Sequence, residues 1–188
     1  MLFVSLQKKH FEQVLDISNK TLGQDYLTTD ILTAYLLSNN YYPFVIELND
    51  KVVGFTSLVI LSPSELKQAI LTENEWFYEL TKAYEKIVLR KQTIVAPKFI
   101  NKGYGNMLVQ LSTKEVEKVS DFQLSTVWKK EGDKAMSNLL TKNGFSLIKT
   151  IKNYWEKDSI EHNYNCLICG NPPCKCATEV YIKKNASE

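Results

Sequence analysis

Apolar positions along the chain switch between a period of two and a period near 3.6, and the switches mark out the elements. Leu2 to Leu6 reads as a short strand, and Lys8 to Lys20 follows as a helix that must bury Phe11, Val14, Leu15 and Ile17. Thr28-Thr29-Asp30 predicts the cap of a second helix carrying Ile31, Leu32, Tyr35 and Leu36, which Asn39-Asn40 ends. Phe44 to Leu48 and Val52 to Leu61 are runs of β-formers around Asn49-Asp50, a hairpin signal, and Gly54 marks a bulge or a close backbone contact. Ser62-Pro63-Ser64-Glu65 starts a helical stretch that runs to about Lys82 and holds one or two helices. That stretch is longer than a hairpin connection, so it is either extra core packing or an insert that shapes a substrate site. Trp76, Phe77 and Tyr78 are consecutive, and no one helix face buries all three, so two are expected to pack and one to face a cleft.

The middle of the chain changes register most sharply. Ile87 to Val95 is a β run that breaks at Pro97 and turns through Gly103-Tyr104-Gly105. Asn106 to Lys118 then has helical spacing, with Leu108, Leu111 and Val119 near one stripe. Strand, glycine turn and helix in that order put free backbone N–H groups at a helix N-terminus, which suits a phosphate or pyrophosphate. A glycine there lets a ligand approach the backbone. No Gly-Lys-Ser/Thr follows, which excludes a P-loop, and the third glycine of a dinucleotide fingerprint is missing. Gln123 to Trp128 is a further strand. Asp133 to Asn143 is a helix with Asp133 as N-cap, Gly144-Phe145 ends it, and Phe145 to Glu156 and Thr178 to Lys183 are the last strands. The order predicts an α/β (α+β) sheet of mixed direction.

Composition narrows the classes. The chain has 188 residues, 44% of them hydrophobic, enough for a good core in one domain. A net charge of +2 with no basic stripe interleaved with aromatics argues against nucleic acid as a partner. No apolar run reaches the roughly 20 residues of a membrane span, and the N-terminus lacks the pattern of a signal peptide. A cytoplasmic protein is the expectation, with no membrane partner. Oligomeric state is not legible.

Val95-Ala96-Pro97 and Lys102-Gly103-Tyr104-Gly105-Asn106-Met107-Leu108 resemble the acyl-CoA-binding motif of the GNAT acetyltransferase superfamily, in which a strand ending Val-x-Pro runs into Gln/Arg-x-x-Gly-x-Gly/Ala. Ile100 departs from that pattern at the Gln/Arg place, although Lys98 and Lys102 keep the loop basic. Val52-Val53-Gly54-Phe55 looks like the family's hairpin. Asp133-Lys134-Ala135 with Leu139-Leu140-Thr141-Lys142-Asn143-Gly144-Phe145 is similar to its second signature. In order, these cover roughly residues 1 to 157. The resemblance implies a GNAT-like, mostly antiparallel central sheet splayed between strands four and five and flanked by helices. Residues 1–188 would then be one domain, with 158–177 a cysteine-rich loop before the final strand. It also implies an N-acetyltransferase that moves an acetyl group from acetyl-CoA to an amine. Backbone groups of Ile94 and Val95 would pair with the pantetheine arm, and N–H groups from Lys102 through Gly103, Tyr104, Gly105 and Asn106 would hold the pyrophosphate.

Acetyl transfer to an amine needs a base, donors for the developing oxyanion and an acid for the departing thiolate. The tyrosine acid of many relatives falls on Leu140, and their strand glutamates fall on Leu89 and Trp128. Glu131, Asp133 and Tyr154 are the remaining catalytic candidates, with Tyr164 behind them, and Asp133 reads more readily as a helix cap. Two explanations stand: a neutral amine is simply oriented and the thiolate leaves to solvent, or catalysis is lost and a CoA-binding or protein-interaction module remains.

All four cysteines fall in one short run, Cys166-Leu167-Ile168-Cys169-Gly170-Asn171-Pro172-Pro173-Cys174-Lys175-Cys176. Cys-x-x-Cys-Gly has the shape of a zinc knuckle, and Cys-x-Cys supplies two more thiolates. A structural zinc with Cys166, Cys169, Cys174 and Cys176 as ligands is expected; iron, disulfides and redox chemistry are the alternatives. His162 could replace one cysteine, although a solvent-exposed loop histidine is the better reading. Lys175, Lys183 and Lys184 beside the cluster raise nucleic-acid binding as a rival, which too few basic residues support.

Overall fold

The computed structural model describes residues 1–70, 75–129, 132 and 134–185. Among them seven strands hydrogen-bond in the order β1-β2-β3-β4-β5-β7-β6. They are β1 (Leu2–Ser5), β2 (Tyr41–Leu48), β3 (Lys51–Leu61), β4 (Ile87–Val95), β5 (Phe122–Lys129), β6 (Ser146–Ile151) and β7 (Ala177–Lys184). The sheet is mostly antiparallel, with β4 and β5 parallel. The described residues also form seven α-helices: α1 (Phe11–Thr21), α2 (Thr29–Leu37), α3 (Pro63–Ala69), α4 (Glu75–Thr81), α5 (Tyr104–Glu117), α6 (Ala135–Lys142) and α7 (Glu156–His162). By its contacts the chain divides into two compact units, Met1–Val59 with Arg90–Lys118, and Ile60–Leu89 with Val119–Glu188.

In the first unit the β2–β3 hairpin turns at Asn49 (φ 49°) and Asp50 (φ 61°), the paired left-handed conformation of a tight two-residue turn. The register shifts at Ile46/Glu47: Ile46 faces Gly54 while Glu47 faces Val52. Gly54 is therefore both bulge and close contact, since a Cβ there would lie 2.9 Å from Leu108 Cδ1 and 3.0 Å from the Ile94 carbonyl. β2 and β3 are buried on both faces. Val45 and Phe55 pack with Val14, Leu32 and Tyr35 of α1 and α2, and Ile46 and Val53 pack with Leu108 of α5. Thr28 caps α2 by accepting the Ile31 N–H at 3.3 Å. A 3-10 turn, Lys8–His10, precedes α1 and is tied to the sheet through His10. His10 Nδ1 accepts the Gln7 N–H at 3.0 Å, so the proton sits on Nε2, which donates to Glu47 Oε1 at 2.9 Å.

The predicted stripe of α5 needs correction. Leu108, Val109, Ser112, Thr113 and Val116 are buried, whereas Val119 lies beyond the helix and is exposed. The hidden face is partly polar because it covers a buried arginine, described below.

In the second unit, Ser62 and Glu65 form a reciprocal capping box at the start of α3: Ser62 Oγ accepts the Glu65 N–H and Glu65 Oε2 accepts the Ser62 N–H. The described residues of this stretch thus hold two short helices, α3 and α4. Of the aromatic triplet Phe77 is buried, Trp76 is half-buried under Lys149 Nζ at 4.9 Å, and Tyr78 is exposed. α6 ends in a Schellman motif, with the Phe145 N–H on the Leu140 carbonyl, the Gly144 N–H on the Thr141 carbonyl, and Leu140 and Phe145 both buried. Lys134 occupies its N-cap, and Asp133 lies outside the described residues. β7 runs antiparallel to both β5 and β6. The strand expected over 145–156 stops at Ile151. A turn and α7 replace its second half, because the chain there is drawn into the cysteine loop, with the Tyr154 N–H on the Cys176 carbonyl.

Candidate active site and thiol cluster

β4 delivers the chain to a turn stiffened from beneath. Ile94 is buried, Val95 is half-buried, and the Ala96 N–H bonds the Val53 carbonyl at 2.9 Å. Val95, Phe99, Tyr104 and Met107 pack against Ile46, Val53 and Leu108, and Phe99 meets the Tyr104 ring edge-on at 5.9 Å. Gly103 is the N-cap of α5 at φ 88°, a conformation that disfavours any side chain. A Cβ on it would meet nothing within 4 Å, so the glycine is required by backbone angle and not by crowding within the chain. It supplies no capping side chain, and the first helical bond is from the Met107 N–H to the Gly103 carbonyl at 3.1 Å. First-turn N–H groups of such a helix have no carbonyl of their own, and the dipole adds partial positive charge there. Asn101, Lys102 and Gly103 are exposed, while Tyr104, Gly105 and Asn106 are half-buried. The arrangement suits a phosphorylated ligand.

Behind this turn lies Arg90 of β4, 2% exposed. Nη1 donates to Ser112 Oγ at 2.9 Å and Thr56 Oγ1 at 3.1 Å, and Nη2 donates to Thr113 Oγ1 at 3.0 Å. These acceptors are neutral. Desolvation lowers the guanidinium to about 9, which leaves it charged at neutral pH. Ser112 Oγ in turn donates to the Leu108 carbonyl at 2.5 Å and Thr56 Oγ1 donates to the Gln92 carbonyl at 2.9 Å, so backbone dipoles spread the charge. The network joins β3, β4 and α5, the elements that present the turn. Sequence reading missed Arg90 because a charge inside a β run reads as a solvated position. The signal was its pairing with Ser112-Thr113 on a helix stripe otherwise apolar.

The acid–base candidates fare differently. Glu131 and Asp133 lie outside the described residues. Tyr154 is buried, set edge-on against Trp155 at 4.7 Å in the cysteine loop. Tyr164 donates to Asp158 Oδ2 at 2.7 Å, and burial followed by that carboxylate pushes its hydroxyl well above the ordinary value. Leu140, at the place of the family's tyrosine, is fully buried in the Schellman contact. An unforeseen carboxylate, Glu179 of β7, accepts from Lys129 at 2.8 Å, Ser137 at 2.8 Å and Tyr181 at 3.0 Å. The Lys129 bond, opposed by burial, holds it below the usual range, which suits a positioned anion better than a base.

The four cysteines converge. Their Sγ atoms all lie within 4.8 Å of one another, with Cys166–Cys176 at 3.7 Å, Cys169–Cys176 at 3.5 Å and Cys169–Cys174 at 4.0 Å. No pair is bonded as a disulfide. The Ile168 and Cys169 N–H groups each point at Cys166 Sγ at 3.4 Å, and the Lys175 N–H points at Cys169 Sγ at 3.4 Å. Desolvation raises the Cys174 and Cys176 thiols. At Cys166 burial acts in the same sense, but the two backbone donors together with the Cys174 and Cys176 thiols outweigh it and lower the thiol to about 7. Trp128 and Trp155 pack on the cluster.

Residues 11–145 match the Acetyltransferase (GNAT) family, and the chain belongs to it. Solved structures carry the same fold across nearly the whole length. The ribosomal-protein-S18-alanine N-acetyltransferase of Escherichia coli aligns at TM-score 0.66 and 13% identity, over 100% of this chain and 95% of its own. An N-acetyltransferase of Staphylococcus aureus aligns at 0.67 and 15%, over 98% of each chain. NAA60 of Arabidopsis thaliana, solved with a bisubstrate analogue, aligns at 0.69 and 10%, over 97% of each. No curated protein matches the sequence. At these identities the likeness is one of fold. Among the described residues no helix is long and apolar enough to cross a membrane.

Proposed function

We propose that the protein transfers an acetyl group from acetyl-CoA to the amine of a small molecule or peptide. The observation that carries this reading is the left-handed Gly103 opening α5 straight after β4, in a chain of the GNAT family. The pyrophosphate would lie on the N–H groups from Lys102 to Asn106, with the backbone of Ile94 and Val95 beside the pantetheine arm. A neutral amine nitrogen would attack the thioester carbonyl carbon, the C–S bond would break, and the CoA thiolate would take up the proton the amine gives. Glu131 and Asp133 are the proposed proton-handling residues. Tyr154 is the weaker candidate, because its ring is committed to Trp155. One structural relative is named a ribosomal-protein-S18-alanine N-acetyltransferase and another was solved with a bisubstrate analogue, so alanine-bearing peptides with a free amine belong in the first acceptor panel.

A second reading, a CoA-binding module without turnover, is favoured by one observation: buried Leu140 in place of the family's tyrosine. Melting with and without acetyl-CoA, followed by mass detection of acetylated products, separates the two. At about 100 times Kd the ligand adds about 2.7 kcal/mol, a shift of roughly 5–10 °C for a chain of this size. A shift with product supports the transferase, and a shift without product on any acceptor supports the module. No shift, in a protein that melts cooperatively, sinks both.

A further inference from the structure

We infer that Cys166, Cys169, Cys174 and Cys176 form a closed tetrahedral zinc site that holds the β6–β7 connection in place and fixes Trp128 at the end of β5. The inference rests on the loop itself and does not depend on acetyl transfer. Four sulfurs about 2.3 Å from one zinc ion stand about 3.8 Å apart. Here three of the six pairs stand at 3.5, 3.7 and 4.0 Å, and all lie within 4.8 Å. The knuckle that presents the first pair is a tight turn, with Cys166 and Gly170 exchanging both backbone hydrogen bonds at 2.9 Å and Gly170 at φ 76°. Its N–H groups converge on sulfur, which favours a thiolate. Cys166, Cys174 and Cys176 are buried, so three adjacent thiolates without a cation would repel one another in a poorly solvated place. Thiolate ligands select zinc or iron, and zinc binds a given divalent site more tightly than ferrous iron. Four protein ligands leave no position for water or substrate, so the metal is structural.

What it holds is legible in the neighbours. α7 has seven residues, too few to persist alone. Its Ser159 hydroxyl accepts the Cys174 N–H at 2.8 Å, which ties the helix to the ligand loop. Cys176 leads directly into β7, where Ala177 and Thr178 pair with Lys129 and Trp128 of β5. Trp128 packs against the buried Cys166, Cys174 and Cys176 side chains. Metal loss therefore releases α7, the loop and the indole together.

The test uses the full chain, purified with reductant and without added metal. Elemental analysis should find one zinc per chain. After removal by a chelator, Co2+ titration should give the visible bands of a tetrahedral thiolate site with an endpoint at one equivalent, and tryptophan fluorescence should change over the same titration. Cys169→Ser, at the most exposed ligand, should weaken zinc by more than about 100-fold, beyond the 10- to 100-fold of an outer-shell change. Iron in place of zinc, octahedral cobalt spectra, or Cys169→Ser with wild-type zinc affinity would each overturn the proposal. Should Cys169→Ser not fold, the cobalt endpoint and spectrum of the wild-type chain decide alone.

Discussion

At the scale of the residue, the molecule accepts charge and crowding only where a neighbour absorbs the cost. Arg90 is the plainest case. Arg90→Ala should lose about 3 kcal/mol, because a cavity opens between β4 and α5. Arg90→Met should lose clearly less, since Ser112 and Thr56 still donate to the Leu108 and Gln92 carbonyls and no polar group is orphaned. Urea unfolding of both variants checks the ranking; a Met variant as weak as the Ala variant means that the charge itself is needed. Gly54 is the crowded counterpart. Gly54→Ala puts a methyl 3.0 Å from the Ile94 carbonyl, which cannot swing aside as a side chain can, and should cost about 1–3 kcal/mol by the same measurement. Neither position announces itself in sequence. A lone arginine in a β run and a glycine after two valines acquire their meaning from what folds over them.

At the scale of the element, short pieces hold because polar ties fix them to the sheet. The 3-10 turn before α1 is pinned to β2 by His10 and Lys9 on Glu47. Hydrogen bonds from Lys9, then from His10, hold the Glu47 carboxylate below its ordinary value against its own desolvation. A depressed folded pKa gives stability that is fully present above the ordinary carboxylate range and is lost as pH falls through the lowered value. The melting difference between the wild type and Glu47→Gln should therefore shrink between about pH 6 and about pH 3. A constant difference across that window would show that packing, not charge, carries the tie. Capping was legible from residue type alone at Thr28 and Ser62, because a cap bonds N–H groups two or three residues away. The end of β6 was not. Tyr154 and Trp155 are strand formers by type, but the Tyr154 N–H is claimed by the Cys176 carbonyl, twenty-two positions on.

At the scale of the whole molecule, the acetyl-CoA and zinc experiments address separate parts of the chain, one the β4–α5 turn and the other the loop between β6 and β7. Success or failure of one leaves the other standing. The sequence by itself determined the order of strands and helices as far as β6, the hairpin at Asn49-Asp50, the glycine turn into α5 and the grouping of four cysteines in one short run. Each of these depends on backbone angles or spacings within a few residues. Only the tertiary structure decided which face of α5 is buried, that a guanidinium lies beneath it, that Leu140 is committed to a helix terminus, and that Trp128 belongs to the thiol cluster. Those outcomes join residues far apart in the chain, where burial and hydrogen bonding across strands outweigh what any local stretch prefers.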